Sequence, residues 1–439
     1  MDGNMVSQYL EVIRREISPA MGCTEPAAVA LCAAGAAAQL GEPALRVEVQ
    51  VSEYILKNGI NVGIPGVGAI GLPIAAAMGA VCAKPEKELQ VLSGLTETEK
   101  TLARQMVEKD RIIISLAAEP DKIYIRARAV SQNHEGVAVI RGSHGNFVRL
   151  ERDGSALLDR DTPGSQGEPS APAAESNPDM TVASIWQFVR EVPVEELAFL
   201  DELIHLNGEI AKEGLAGKYG LQVGRSMQET FSKGLISGDI ANYAVAVTAA
   251  AADARMSGCE KSVMSVAGSG NQGLTASLPI IAVAEKTGYQ REKTYRALAL
   301  SALITIHTKR YIGRLSVLCG CAISAAIGVS AGTVYLFDGG LSQVELAIKT
   351  MTADISGMVC DGAKPGCALK VATSVSAAMR AATLAFSGLG ATNHDGIVDM
   401  DVEKTLQNLG ELGNEGMVGA NTAILEMLLS KSKQQPAAE

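Results

Sequence analysis

The sequence predicts a soluble protein with an α+β N-terminal domain followed by an all-α C-terminal domain. Three observations carry that prediction. Before Asp159, short segments such as Leu45–Ser52 alternate apolar and polar residues, the period of a half-buried strand. After Pro178 the chain becomes alanine-rich, with apolar residues at helical spacing or, in Ile240–Met256, nearly all round. Between them, Asp159–Pro178 is rich in Pro, Gly and Ser without periodicity, the composition of an exposed linker or long loop. The expected division is an α+β domain over 1–158, a linker over 159–179 and a helical domain over 180–439.

The composition narrows the function classes. A chain of 439 residues is long enough for two or three domains. Aromatics make up only 4% against 47% hydrophobic residues, so Ala, Val, Leu and Ile must pack the core. A net charge of −10 and the lack of any basic run argue against nucleic acid as a partner. The eight cysteines are scattered, and the amphipathic N-terminus is unlike a secretory signal. A reducing cytoplasm without disulfides is therefore expected. Val263–Ala284 and Leu315–Phe337 carry little or no charge over lengths that could span a bilayer. Their Gly, Ser, Thr and Ala content, with Asn271 and Gln272 in the first, reads as buried helix instead, so no membrane is expected.

In chain order, Val6, Leu10, Ile13 and Ile17 share one face of a helix over Val6–Ile17, which ends before Pro19. Met21–Pro26 reads M-G-C-T-E-P, and Pro26 opens a helix over Ala27–Leu40. Cys23 thus stands ahead of a helix N-terminus, where the dipole lowers a thiol pKa. A reactive thiol and a structural turn cysteine are both compatible with that position. Lys57-Asn58-Gly59 reads as a turn. Gly66–Gly71 matches G-x-G-x-x-G, but Pro65 interrupts the approach, so a close-packing loop is expected rather than a nucleotide site. Helices follow at Leu72–Val81 and Thr96–Glu108, the latter with Thr96 and Glu99 spaced as a capping box. Strands are expected at Arg111–Leu116, Lys122–Ala129, Val137–Ile140 and Phe147–Glu151. The loop Gly142–Asn146 carries His144 beside Asn146, a candidate pair for holding a carboxylate.

In the second half, helices are expected at Thr181–Glu191, Val194–Lys212, Ile240–Met256, Thr294–Lys309 and Val317–Val329. Leu341–Asp354, Val371–Ala385, Val402–Leu409 and Thr422–Ser430 complete the set. Asp253 and Arg255 form an ion-pair candidate near a helix end. Gly268–Gly273 reads G-S-G-N-Q-G ahead of a helix starting near Leu274. Its consecutive N–H groups suit a carboxylate, with Ser269, Asn271 and Gln272 as polar companions.

The cysteines supply the strongest chemical signal. Cys360 and Cys367 flank a turn made of Asp361, Gly362, Lys364, Pro365 and Gly366, so both sulfurs can face one point. Neighbouring lysines favour the thiolate, the metal-binding form. Leu318–Cys321, L-C-G-C, supplies a third sulfur with a fourth in reserve. Three thiolates without a nearby histidine suit an iron–sulfur cluster or zinc. The plainer alternative is a set of small buried hydrophobes.

Five motifs occur here in one order: M-G-C-T-E-P at Met21, K-N-G at Lys57, G-S-G-N-Q-G at Gly268, R-L-S-x-L-C at Arg314 and G-M-V-C-D-G at Gly357. In combination they resemble the L-cysteine desulfidase family, related to the alpha part of bacterial iron–sulfur L-serine dehydratases, over about residues 8–430. The resemblance implies a [4Fe-4S] enzyme that needs no pyridoxal phosphate and converts L-cysteine to pyruvate, ammonia and sulfide. It implies Cys319, Cys360 and Cys367 as cluster ligands and Cys23 as the base. Cys321 departs from the family pattern and leaves the choice between it and Cys319 open. Three thiolates on four irons leave one iron free to act as a Lewis acid. Lys57, Asn58, His144, Asn146, Ser269, Asn271 and Gln272 are the polar groups placed around a small amino-acid substrate, and a homodimer stays open. An L-serine dehydratase keeps the same chemistry with a different leaving group. A non-catalytic zinc- or cluster-stabilised binding protein is the alternative of another class, and a membrane transporter is third.

Overall fold

The computed structural model describes residues 3–160, 179–313 and 315–432. The expected linker falls almost wholly outside them, as does Arg314. Helix α1 (Gly3–Glu16) and strand β1 (Ile17–Ala20) come first. They are followed by α2 (Thr24–Ala38), β2 (Arg46–Val51), α3 (Glu53–Gly59), α4 (Leu72–Cys82) and α5 (Glu97–Glu108). Five strands then run in succession: β3 (Ile112–Leu116), β4 (Tyr124–Val130), β5 (Glu135–Arg141), β6 (Phe147–Arg152) and β7 (Ser155–Asp159).

These strands and β2 form one sheet in the order β3-β2-β4-β5-β6-β7. Only β2 and β3 are parallel, joined through α3, α4 and α5 as a crossover requires. The alternation seen in the sequence places Val47, Val49 and Val51 of β2 beside Ile125, Ala127 and Ala129 of β4 on the buried face. α2 covers that face and crosses α4 closely. A Cβ on Gly79 would lie 2.0 Å from the Ala30 carbonyl oxygen, so only glycine permits this approach. The expected capping box is present on α5: Thr96 Oγ1 accepts from Glu99 N at 3.2 Å, and Glu99 accepts back from Thr96 N at 2.7 Å.

The second half is helical: α6 (Val182–Glu191), α7 (Leu200–Ala216), α8 (Val223–Ser232), α9 (Ile240–Met256), then the short β8 (Val263–Val266). It continues through α10 (Gly270–Thr287), α11 (Arg291–Ile312), α12 (Ser324–Leu336), α13 (Leu341–Ile355), α14 (Cys367–Phe386), α15 (Val402–Glu411) and α16 (Val418–Ser432). α9 is central and packs against α7, α8, α10 and α14, its alanines allowing close approach in a chain poor in aromatics. The fold class is therefore the expected one.

The chain's two ends cross over. α1 buries Tyr9 and Ile13 in the helical core, with Tyr9 stacked on Phe188 at 5.1 Å, and β1 pairs antiparallel with β8. At the other end, Leu425 of α16 sits in the core beneath the sheet, and Asn421 donates to Glu53 of α3 at 3.1 Å. Among the described residues no helix is long and apolar enough to cross a membrane. The two uncharged stretches are each broken, one between β8 and α10, the other by a loop that lasts until Ser324.

That loop is one of several local departures from expectation. Residues 317–323 are not helical: Leu318 bridges Val359, and Gly320 packs where a Cβ would meet Gln272 Oε1 at 2.7 Å. Lys57-Asn58-Gly59 is the last turn of α3 rather than a free turn, because Asn and Gly also mark helix ends. Asp253 and Arg255 do not pair. Two residues apart on a helix they face different sides; Asp253 accepts backbone N–H groups of Leu221 and Val223 at 3.2 and 2.6 Å. Burial raises its carboxyl to about 6 against those bonds.

Candidate functional site

A cavity of about 130 Å³ lies where the two halves meet, and its lining converges from eight segments. Two are the cysteine loops, and backbone pairing ties them: Cys319 N donates to Met358 O at 2.9 Å, and Cys360 N to Val317 O at 2.6 Å. This antiparallel bridge brings residues some forty positions apart into one wall, with Cys319, Cys321, Cys360 and Cys367 all lining the cavity. Cys367 is the first residue of α14. Gly362 has a φ of +93°, and a Cβ there would come 2.3 Å from Lys57 O, so glycine alone lets the loop lie against α3.

The sulfurs differ in environment. Cys319 and Cys321 stand 3.5 Å apart. The hydrogen bond from Cys321 draws Cys319 below the ordinary thiol range, helped by the Ala322 N–H, Lys370 and Lys364, while Cys321 is pushed up by the same pairing. Burial raises Cys360, and raises Cys367 to about 12. Lysines surround this wall. Lys57, fully buried, donates to Cys360 O at 3.0 Å, and Lys370 donates to Val359 O at 2.7 Å. Burial pulls the Lys57 ammonium below its usual range against the pull of Cys360 and Glu25. Asp361 pairs with both Lys364 and Lys370, which hold its carboxyl down to about 2 despite burial.

Two further segments present helix starts. Cys23 is the N-cap of α2, as expected, yet its thiol is not lowered. Burial pushes it up to about 11, with Arg255 acting in the opposite sense and Glu25 adding to the rise. Arg255 is 4% exposed and acts as a clamp: it donates to Gly22 O, beside Cys23, and to Asn271 Oδ1 at 3.0 Å. α10 starts at Gly270, four residues earlier than expected, so Asn271 and Gln272 occupy its first turn and Ser269 its N-cap. Gln272 donates to Val266 O at 2.9 Å, leaving its Oε1 toward Gly320. Lys309 of α11 and His144, from the β5–β6 loop, complete the polar lining.

Of the residues singled out in the sequence, Cys23, Asn58, His144, Ser269, Asn271, Gln272, Cys319, Cys360 and Cys367 share this cavity. Two do not line it. Lys57 supports the cysteine loop from behind, and Asn146 turns back to donate to Arg141 O at 2.9 Å. The sequence reading passed over Glu25, Arg255, Lys309 and Lys370 as site residues. Arg255 carried a usable signal, a cation on an alanine-rich helix that is apolar nearly all round.

Fold and cavity define a protein with a sheet-based half, a helical half and a cysteine-lined site between them. Residues 86–426 match the family model described as the serine dehydratase alpha chain, and the chain belongs to that family. A UPF0597 protein of Oleidesulfovibrio alaskensis is 44% identical over 426 residues, covering 97% of this chain and 98% of the relative. UPF0597 proteins of Clostridioides difficile (41% over 425 residues; 97% and 100% covered) and Parabacteroides distasonis (39% over 434; 98% and 100%) are similar along the same span.

Proposed function

We propose that this chain is a lyase that removes the β-substituent of a small L-amino acid without pyridoxal phosphate. L-cysteine is the first substrate, giving pyruvate, ammonia and sulfide with the uptake of one water. The observation that carries this reading is the convergence on one cavity of four loop thiols and a fifth, Cys23, at a helix start. Cys319, Cys360 and Cys367 would hold a [4Fe-4S] cluster, and the residues fit such a group. All are free thiols, and they stand around a shared space, backed by lysines that offset thiolate charge. Cys319, drawn down by Cys321, is the readier of that pair to ionise. When bound, a cluster with one open iron supplies a Lewis acid to the substrate carboxylate and β-substituent.

The chain's own residues do the rest. Ser269, Asn271 and Gln272 at the start of α10 line the cavity, and the N–H groups of that first turn would seat the substrate carboxylate. Arg255 fixes Asn271 of that turn and Gly22 of the M-G-C-T-E-P turn relative to each other, so Cys23 and the carboxylate seat move as one unit. The α-proton passes to Cys23 Sγ. That requires the thiolate, which Arg255 and the α2 N-terminus favour against burial. The burial that opposes ionisation also excludes water from the thiolate once formed. Loss of the β-substituent leaves an enamine, which tautomerises and hydrolyses to pyruvate and ammonia.

A second reading, L-serine as the physiological substrate, is favoured by the description of the matching family model. Pyruvate release from L-cysteine and from L-serine, measured in parallel on anaerobically purified iron-containing protein, tests both. Faster turnover of L-cysteine supports the first, and faster turnover of L-serine the second. Iron-loaded protein that yields pyruvate from neither would overturn the lyase reading.

A further inference from the structure

The cavity contains two carboxylates among its described lining residues, Glu25 and Asp361, and they are not equivalent. Asp361 is committed to Lys364 and Lys370. Glu25 is 8% exposed, and among the described residues no cation pairs with it. Its partners are neutral: Oε1 accepts from Asn58 Nδ2 at 3.0 Å and Oε2 from Thr24 Oγ1 at 3.1 Å. Lys57, on the same helix turn as Asn58, donates to Cys360 O instead. A carboxylate has about four acceptor positions, so two remain for a ligand. Burying an ionised carboxylate without a cation paired to it is costly, and the first turn of α2 and the Lys57 ammonium acting from a distance offset only part of that cost.

From this we infer that Glu25 receives the α-ammonium of the substrate, and so restricts the site to amino acids over carboxylic acids that lack the amine. The inference rests on the amino-acid lyase reading above and adds the group that reads the amine. Thr24 and Asn58 set the carboxylate's orientation, each consuming one acceptor position and leaving the cavity-facing ones for N–H donors. The carboxylate seat at α10 and the ammonium seat at α2 then lie at two separate helix starts, joined through Arg255. A zwitterion bridges them, with its Cα near Cys23, the residue two before Glu25. A hydroxy or thio acid would leave Glu25 buried with its charge unmatched, which is how such a site rejects it.

The test compares two probes differing only in the amine, L-alanine and propionate, by calorimetry on the cluster-loaded protein. The wild type is expected to bind L-alanine more tightly than propionate. Glu25→Gln keeps the side chain's size and should weaken L-alanine by on the order of a hundredfold, the effect of removing one partner of a buried charge pair. Propionate binding should stay the same or strengthen, since a negative charge has left the cavity; this also shows that the variant is folded. Glu25→Asp retains the charge and should recover part of the preference for L-alanine. Equal losses for both probes in Glu25→Gln, or unchanged L-alanine affinity, would overturn the inference even where the wild type produces pyruvate. A wild type that neither binds L-alanine nor makes pyruvate overturns the lyase reading and this inference with it.

Discussion

The two cysteine loops and the start of α2 put the same side chain into two different settings. On the loops, Cys319, Cys321, Cys360 and Cys367 sit in backbone that is hydrogen-bonded to itself and backed by Lys57, Lys364 and Lys370. At α2, Cys23 sits among side-chain bonds, with Arg255 as the cation beside it and Glu25 as a neighbouring anion. Burial raises Cys23, Cys360 and Cys367 alike, to about 11 and about 12 for the first and last. The settings differ in what can overcome it. On the proposed reading, metal binding would displace thiol protons on the loops, so ionisation there would be driven by the ligand itself. Cys23 has only an arginine and a helix end to hold its thiolate, which suits a group that must give its proton back.

The largest expected effect is on the loop side. Cys360→Ala or Cys367→Ala should abolish iron binding in anaerobically reconstituted protein, measured as iron per chain. Cys319→Ala should do the same and Cys321→Ala should retain iron. The opposite pattern for that pair would move the ligand by two residues and leave the comparison intact. Because the raised thiols are protonated near neutral pH, cluster binding must release protons. Iron uptake should therefore strengthen as pH rises from 7 toward 9, and an uptake indifferent to pH would contradict ligand-driven ionisation. A smaller effect is expected at the other wall. Arg255→Gln should slow alkylation of Cys23 by iodoacetamide about tenfold at a fixed pH, the order of one charge-assisted hydrogen bond. Faster alkylation would show that Arg255 shields the thiol rather than favouring its ionisation. The smallest effect belongs to Asn146→Ala. Its bond to Arg141 O lies outside the cavity, so it should cost about 1 kcal/mol of stability and leave turnover unchanged.

Local signals in the chain were legible where the structure is local. The alternation of Leu45–Ser52 became β2, Thr96 and Glu99 formed their capping box, and Ile240–Met256 is a helix with those bounds. The turn chemistry around Cys360 and Cys367, with G-S-G-N-Q-G, led to segments that do share the cavity. What stayed hidden depends on long-range pairing. β1 and β8 are four-residue strands about 246 positions apart, and neither alternates enough to announce itself. Residues 317–323 carry helix-like apolar content, yet Leu318 is bridged to Val359 and residues 320–323 form a turn ahead of α12. Asn146 and His144 looked alike in sequence, two polar residues on one loop, and the β5–β6 hairpin placed His144 in the cavity while Asn146 bonded back to the hairpin's own backbone. Arg255 reaches the site only because α9 ends beside both α10 and the Gly22 turn.

The division of labour between the two settings is tested most directly at Cys23. Cys23→Ala protein is loaded anaerobically, its iron is quantified, and exchange of the substrate α-hydrogen with solvent deuterium is followed in the same sample. The account predicts iron equal to wild type with exchange and turnover reduced on the order of a hundred- to ten-thousand-fold. Loss of iron in that variant would make Cys23 part of the metal-holding wall. Full iron with undiminished exchange would place the base elsewhere in the cavity, and either result would contradict the account.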